Sequence, residues 1–244
     1  MKTFAILAAA GLALAGPLWA QDRSAPADPC DACTGETAAW FQDPVARYGH
    51  NVLGNTPEWG VLVLTDGDQE IHHKLPENRV FEDIAPRLAD LDGDGTAEVV
   101  VVESDTRLGA QLAVYDIDGK RAETPFIGRS FRWLAPVGIG DLNGDGQQDL
   151  AYVETPHLGK MLRIWTYKDG SLVELGRVSG VTNHKIGEPF ISSGIRTCGA
   201  DTEILLASAD WSALISVHFK DGELKAERRF AWPGRAGLEA SLSC

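Results

Sequence analysis

The sequence predicts an all-β fold, a small β-propeller of about four blades with a repeat near 50 residues, from three observations. The nine residues Asp90-Leu91-Asp92-Gly93-Asp94-Gly95-Thr96-Ala97-Glu98 return as Asp141-Leu142-Asn143-Gly144-Asp145-Gly146-Gln147-Gln148-Asp149, 51 residues later. Asp-Gly pairs recur at Asp66-Gly67, Asp118-Gly119, Asp169-Gly170 and Asp221-Gly222, at intervals of 52, 51 and 52. Each pair comes after a strand-like run: 61–64, 112–115, 162–165 and 214–217. Asp-Gly after such a run signals a hairpin. A fixed period of several short strands marks propeller blades, which cannot bury both faces alone and do so by stacking around an axis.

From the N-terminus, Met1 to Ala20 opens with Lys2, runs through apolar residues 4–15 and closes on small residues, as a secretory signal peptide does. Cleavage is expected after Ala20, which implies a periplasmic or secreted product, and no later stretch is apolar enough to span a membrane. Removing the signal takes away Lys2 and leaves 21 basic against 35 acidic side chains, a net charge of −14, which disfavours nucleic acid as a partner. Residues 21–44, rich in Pro and Asp, read as an irregular segment whose Cys30 and Cys33 form a small local disulfide loop. Residues 45–244 are expected to form the single propeller domain.

Next come the first strands of the blades: 85–89, 135–140 and 191–197. The first two run into the twin nine-residue loops. Oxygen-bearing side chains at loop positions 1, 3, 5 and 9, with glycine at 6, suit a hard cation such as Ca²⁺. The expected ligands are Asp90, Asp92, Asp94 and Glu98, with the carbonyl of Thr96, and Asp141, Asn143, Asp145 and Asp149, with the carbonyl of Gln147, for two ions. An EF-hand would place its last acid at position 12, where Val101 and Tyr152 stand, and would flank the loop with helices. The residues after each loop are strand-like instead, Val99 to Val102 and Leu150 to Val153. An Asp/Gly turn without an ion is the alternative. Two in-phase copies argue against it.

A first strand is missing from the N-terminal blade, and residues 237–243 supply one at the other end. The last strand is therefore expected to pair into the first blade and close the ring. On that phase Cys198 and Cys244 fall at equivalent points of neighbouring blades, which predicts a disulfide between them.

The stretch Val137 to Leu150, and less completely Ala89 to Val102, resembles the FG-GAP and VCBS-type repeats of integrin α-subunit propellers and many bacterial secreted proteins. The resemblance implies four-stranded blades with Ca²⁺ in the loop joining the first two strands. Family propellers usually have seven blades, and Cys198 to Glu203 is too short of acids to be a third loop.

For function, ions held by one short loop read as structural. Arg79, Arg129, Lys185 and Arg235 precede the first strands and are expected to ring one mouth of the axis, where they would suit an anionic ligand or acidic peptide. Pairing of each with a nearby acid is the alternative. The leading expectation is a non-catalytic binding module for a protein or carbohydrate. The rival is a small hydrolase using Glu103 or Glu154, which recur 51 apart. Thiol redox work by Cys30 and Cys33 is a third. The six histidines are scattered and expected to be surface or core residues, and no GxSxG or phosphate-cradling loop is present.

Overall fold

The computed structural model describes residues 37–199, 201–220 and 222–244. The signal peptide, Cys30, Cys33 and Asp221 lie outside them. The fold is all-β with one short helix. Strands β1 (Ala38–Val45), β2 (Glu58–Asp66) and β3 (Gln69–Lys74) form the first antiparallel unit. The short β4 (Arg79–Phe81) leads to β5 (Arg87–Ala89), β6 (Glu98–Asp105), β7 (Gly109–Asp116) and β8 (Gly119–Glu123), the second unit. Strands β9 (Leu134–Gly140), β10 (Asp149–Glu154), β11 (Met161–Lys168) and β12 (Ser171–Ser179) make the third as one four-stranded sheet. After β13 (Val181–Thr182) come β14 (Ser193–Cys198), β15 (Asp201–Ser208), β16 (Ala213–Lys220) and β17 (Glu223–Ala231), the fourth, and then helix α1 (Gly234–Ser241).

The two short strands act as straps. β4 pairs with β2 through Trp59 and Phe81 and with β6 from Arg79–Asp105 to Phe81–Glu103, so the first two units share one eight-stranded sheet. β13 meets the end of β15 in the same way, Val181 opposite Ser208.

Burial obeys the pleat. In β6 every residue is buried, and its valines divide between two cores because successive side chains point to opposite faces. Val99 and Val101 join Leu62, Leu64, Phe81 and Tyr115 between the first and second units. Val100 and Val102 join Leu112, Trp133, Leu150 and Tyr152 between the second and third. Between the third and fourth, Val153 and Ile164 pack with Ile204, Leu206 and Val217. The first strands approach closely: a Cβ on Gly138 would lie 3.1 Å from Cδ1 of Ile195, so a side chain there would require Ile195 to shift by a few tenths of an ångström for β9 to run against β14.

Two expectations fail. The irregular segment 21–44 contains most of β1, whose Ala39 and Phe41 turn inward; Pro44 is tolerated near the strand's end because an edge strand has no need of that N–H. The C-terminal residues 237–243 are not a closing strand but the end of α1 and its cap. Leu238 and Leu242, four apart, share one helical face and pack with Leu205, Leu214 and Trp232, so the helix covers the outer face of the fourth unit. The Cys198–Cys244 bond is present, with Cα atoms 5.8 Å apart, although Cys244 comes after a helix rather than a strand.

Candidate metal centre

The twin loops join β5 to β6 and β9 to β10, and each hydrogen bond of the first named here recurs in the second. Asp90 Oδ1 and Oδ2 accept from the backbone N–H groups of Gly93 at 2.7 Å and Gly95 at 3.0 Å; Asp141 does the same for Gly144 and Gly146 at 2.7 and 3.0 Å. Asp92 and Asn143 accept from the next residue but one, as do Asp94, from Thr96, and Asp145, from Gln147. Glu98 and Asp149 reach back to the N–H of Leu91 and Leu142, at 2.7 and 3.1 Å. Such a winding needs left-handed backbone, and Gly95 and Gly146 supply it with φ of 91° and 89°. Position 9 is the first residue of β6 or β10, so a rigid strand fixes that carboxylate under the loop.

The oxygens suit a cation in two independent respects. Among the described residues, ligand atoms of Asp90, Asp92 and Glu98 lie within 4.8 Å of one another. In the second loop Asp149 is fully buried, and its Oδ1 has no hydrogen-bond partner of ordinary geometry; the hydroxyl of Thr166, near enough to favour the charged carboxylate, is equally unpaired. A buried carboxylate oxygen left unmatched is costly unless something positive meets it. Burial, reinforced by neighbouring aspartates, pushes Glu98 up to about 7 and Asp149 up to about 6. Between the loops lies an open cleft of about 700 Å³, lined by Asp90, Asp92, Gln147, Arg121, Tyr167 and Lys168.

Residues 90–152 match the family model of an FG-GAP-like repeat. The chain carries an FG-GAP-like repeat there. The matched FG-GAP-like repeat runs from the first residue of the first loop to three residues past the second, so both loops and all of β6 to β9 fall inside it. No curated protein matches the chain.

The expected cationic ring is less uniform than its spacing. Arg79 pairs with the buried Glu103 at 2.7 Å and lies over Phe126. Lys185 sits over Trp211, 4.5 Å from the ring centroid, and Arg235 over Phe190, also bonded to Glu239. Arg129 is exposed. Of the four, Arg235 lines the cavity of about 480 Å³ where the first strands begin, together with Arg87, Pro136, Phe190 and Ser193. Glu103 is fully buried among Arg79, Lys120 and Tyr115, and Glu154 pairs with Arg163, so each rival catalytic acid is engaged within its own part of the fold.

At this end the structure gathers a cluster that sequence reasoning missed. Buried Glu82 accepts from His50 Nδ1 at 2.7 Å and Ser104 Oγ at 2.6 Å. Trp133 Nε1 donates to the Glu82 carbonyl, and its ring meets His184 edge-on at 4.9 Å. His184 Nε2 donates to the carbonyl of Glu188, leaving Nδ1 to accept from His157 Nε2 at 2.9 Å. Burial pushes His157 down to about 4 and lowers His184, so both imidazoles stay neutral; burial raises Glu82. Glu82, Trp133 and His184 stand 51 residues apart in sequence, one per repeat, and that interval was the available signal.

Proposed function

We propose that the chain is a Ca²⁺-stabilised, exported β-propeller of about four blades that serves as a non-catalytic binding module for a protein or carbohydrate. The observation that carries the calcium reading is the first loop's gathering of Asp90, Asp92 and Glu98, with ligand atoms within 4.8 Å of one another, and the recurrence of the same winding around the buried Asp149 in the second. Asp90, Asp92, Asp94 and Glu98, with the carbonyl of Thr96, would hold one ion. Asp141, Asn143, Asp145 and Asp149, with the carbonyl of Gln147, would hold the other. A bound Ca²⁺ supplies the positive charge that offsets repulsion among these carboxylates. The protein's own part is positional: strands fix Glu98 and Asp149, and glycines turn the loop around them. Three apolar cores between successive units support the propeller reading, and the apolar run at residues 4–15 supports export. The binding reading rests on the cavity where the first strands begin and on the engagement of Glu103 and Glu154 by cations.

Calcium titration with thermal unfolding at each step tests it. At a thousandfold excess over Kd, one site adds about 4 kcal/mol, or roughly 10 °C in a chain of this size. The rise should shrink in Asp90→Ala or Asp141→Ala and vanish in the double variant. A wild-type melting temperature indifferent to calcium refutes the metal reading.

A further inference from the structure

The two ends of the sheets carry different chemistry. On the metal-loop side the hairpin turns add Asp66, Asp68, Asp116, Asp118 and Asp169 to the acids of the loops. On the opposite side each of four turns presents an exposed apolar side chain: Leu108 at 43%, Phe131 at 48%, Leu158 at 61% and Ile186 at 73%. Between them stand the exposed Arg107, Arg129 and Lys185, with Glu77, Asp210 and the half-buried Glu188 as the acids of the neighbouring turns, and residues 124–133 hold two arginines and no carboxylate.

These turns abut one another. A Cβ on Gly109 would meet the carbonyl oxygens of Arg129 and Arg132, so the Leu108 turn lies on the Phe131 connection. Thr155, which opens the Leu158 turn, donates to the carbonyl of Trp133. Lys185, beside Ile186, lies over Trp211 of the next turn, and Gly187 N–H donates to Val52. The rim is therefore continuous, with basic side chains between apolar tips.

Single exposed leucines are ordinary on a soluble surface. Four at one end, among cations, in a protein of net charge −13, form a patch with a sign. The four tips are carried by four separate connections at one end of the strands, an arrangement that suits a broad surface better than a single extended peptide. The charge selects an anionic plane. We infer that this face docks on an anionic lipid bilayer, with Leu108, Phe131, Leu158 and Ile186 entering the headgroup region and Arg107, Arg129 and Lys185 meeting lipid phosphates. The contact is peripheral, since no helix among the described residues is long and apolar enough to cross a membrane. The metal loops then face away from the surface, and docking needs no calcium bridge.

The test mixes the full chain, in chelator, with phosphatidylcholine vesicles containing or lacking phosphatidylglycerol, and measures sedimentation and amide hydrogen exchange. Partition should be at least about tenfold stronger on the anionic vesicles and weaken with salt. Exchange should slow in turns 105–109, 124–133, 155–160 and 184–188 and not in 116–119 or 168–171. These local readouts separate the rim from the N-terminal apolar stretch, which every variant shares. Leu158→Asp with Ile186→Asp should lower partition at least tenfold, and so should Arg107→Glu with Arg129→Glu, which spares the apolar tips. Unchanged partition in both double variants, or protection confined to other segments, overturns the inference. So does slowing of these turns by soluble polyglutamate but not by vesicles, which would make the occupant a polypeptide. A failed vesicle test leaves the calcium-dependent melting untouched, so the two readings fall separately.

Discussion

Glu103 and Glu154 occupy the same place in successive repeats, yet their surroundings give them opposite weights. Glu103 is fully buried and meets Arg79, Lys120 and the hydroxyl of Tyr115. Glu154 is part-exposed beside Arg163. Removing one partner of a buried pair strands the other, so Glu103→Ala should cost about 3 kcal/mol in urea unfolding. Glu154→Ala should cost under about 1 kcal/mol. The residue scale also fixes a pH dependence. Without cation, Glu98 is raised from 4.5 to about 7 and Asp149 from 3.8 to about 6, chiefly by burial. A carboxylate whose folded pKa lies above its unfolded value favours the fold when protonated; that stability is full below about 4 and lost as pH rises to 7. His157 works the other way: lowered from 6.5 to about 4, it costs stability as pH falls through that window. The difference between calcium and chelator cancels the histidine. The calcium-induced rise in melting temperature should therefore be larger at about pH 7.5 than at about pH 5, since cations compete with protons for these oxygens. A pH-independent rise would contradict that assignment of the carboxylates.

At the scale of elements, the hairpins and the twin nine-residue loops were legible because Asp, Asn and Gly at fixed offsets leave the backbone few choices. β1 was not, since its alternation of Ala39 and Phe41 against exposed neighbours is interrupted by Asp43 and Pro44, the composition of a loop. At the C-terminus the repeat phase suggested a strand, but the spacing of Leu238 and Leu242 was helical, and tertiary packing on Leu205 and Leu214 decided the matter. Leu238→Ala should remove about 2 to 4 kcal/mol, measured in urea, because the helix has no other buried residue to hold it. The disulfide agrees with the phase even though one partner sits in an unexpected element. Arg196, bonded to the Ser241 carbonyl at 2.7 Å, ties the same helix end to β14.

For the whole molecule, the period predicts the stacking, because a strand such as β6 with valines on both faces must have a unit on either side. The contents of the end opposite the metal loops were hidden for the complementary reason. His50, Glu82, Trp133, His157 and His184 come from five connections; the 51-residue interval marks Glu82, Trp133 and His184, and only the fold adds His50 and His157 to them. Strap β4 makes the first and second units share backbone hydrogen bonds as well as an apolar core, and Val181 of β13 donates its N–H to the Lys160 carbonyl of the third unit while β13 pairs with β15 of the fourth. The Cys198–Cys244 bond adds a mechanical consequence. It encloses β15 to β17 and α1 in a covalent loop of 46 residues, so tension applied at the C-terminus passes straight to Cys198. Stretched between its ends, the oxidised chain keeps roughly 160 Å of contour length in reserve, at about 3.5 Å per residue. A reductant should release that length, so the last unit behaves as an inextensible knot until its sulfurs part.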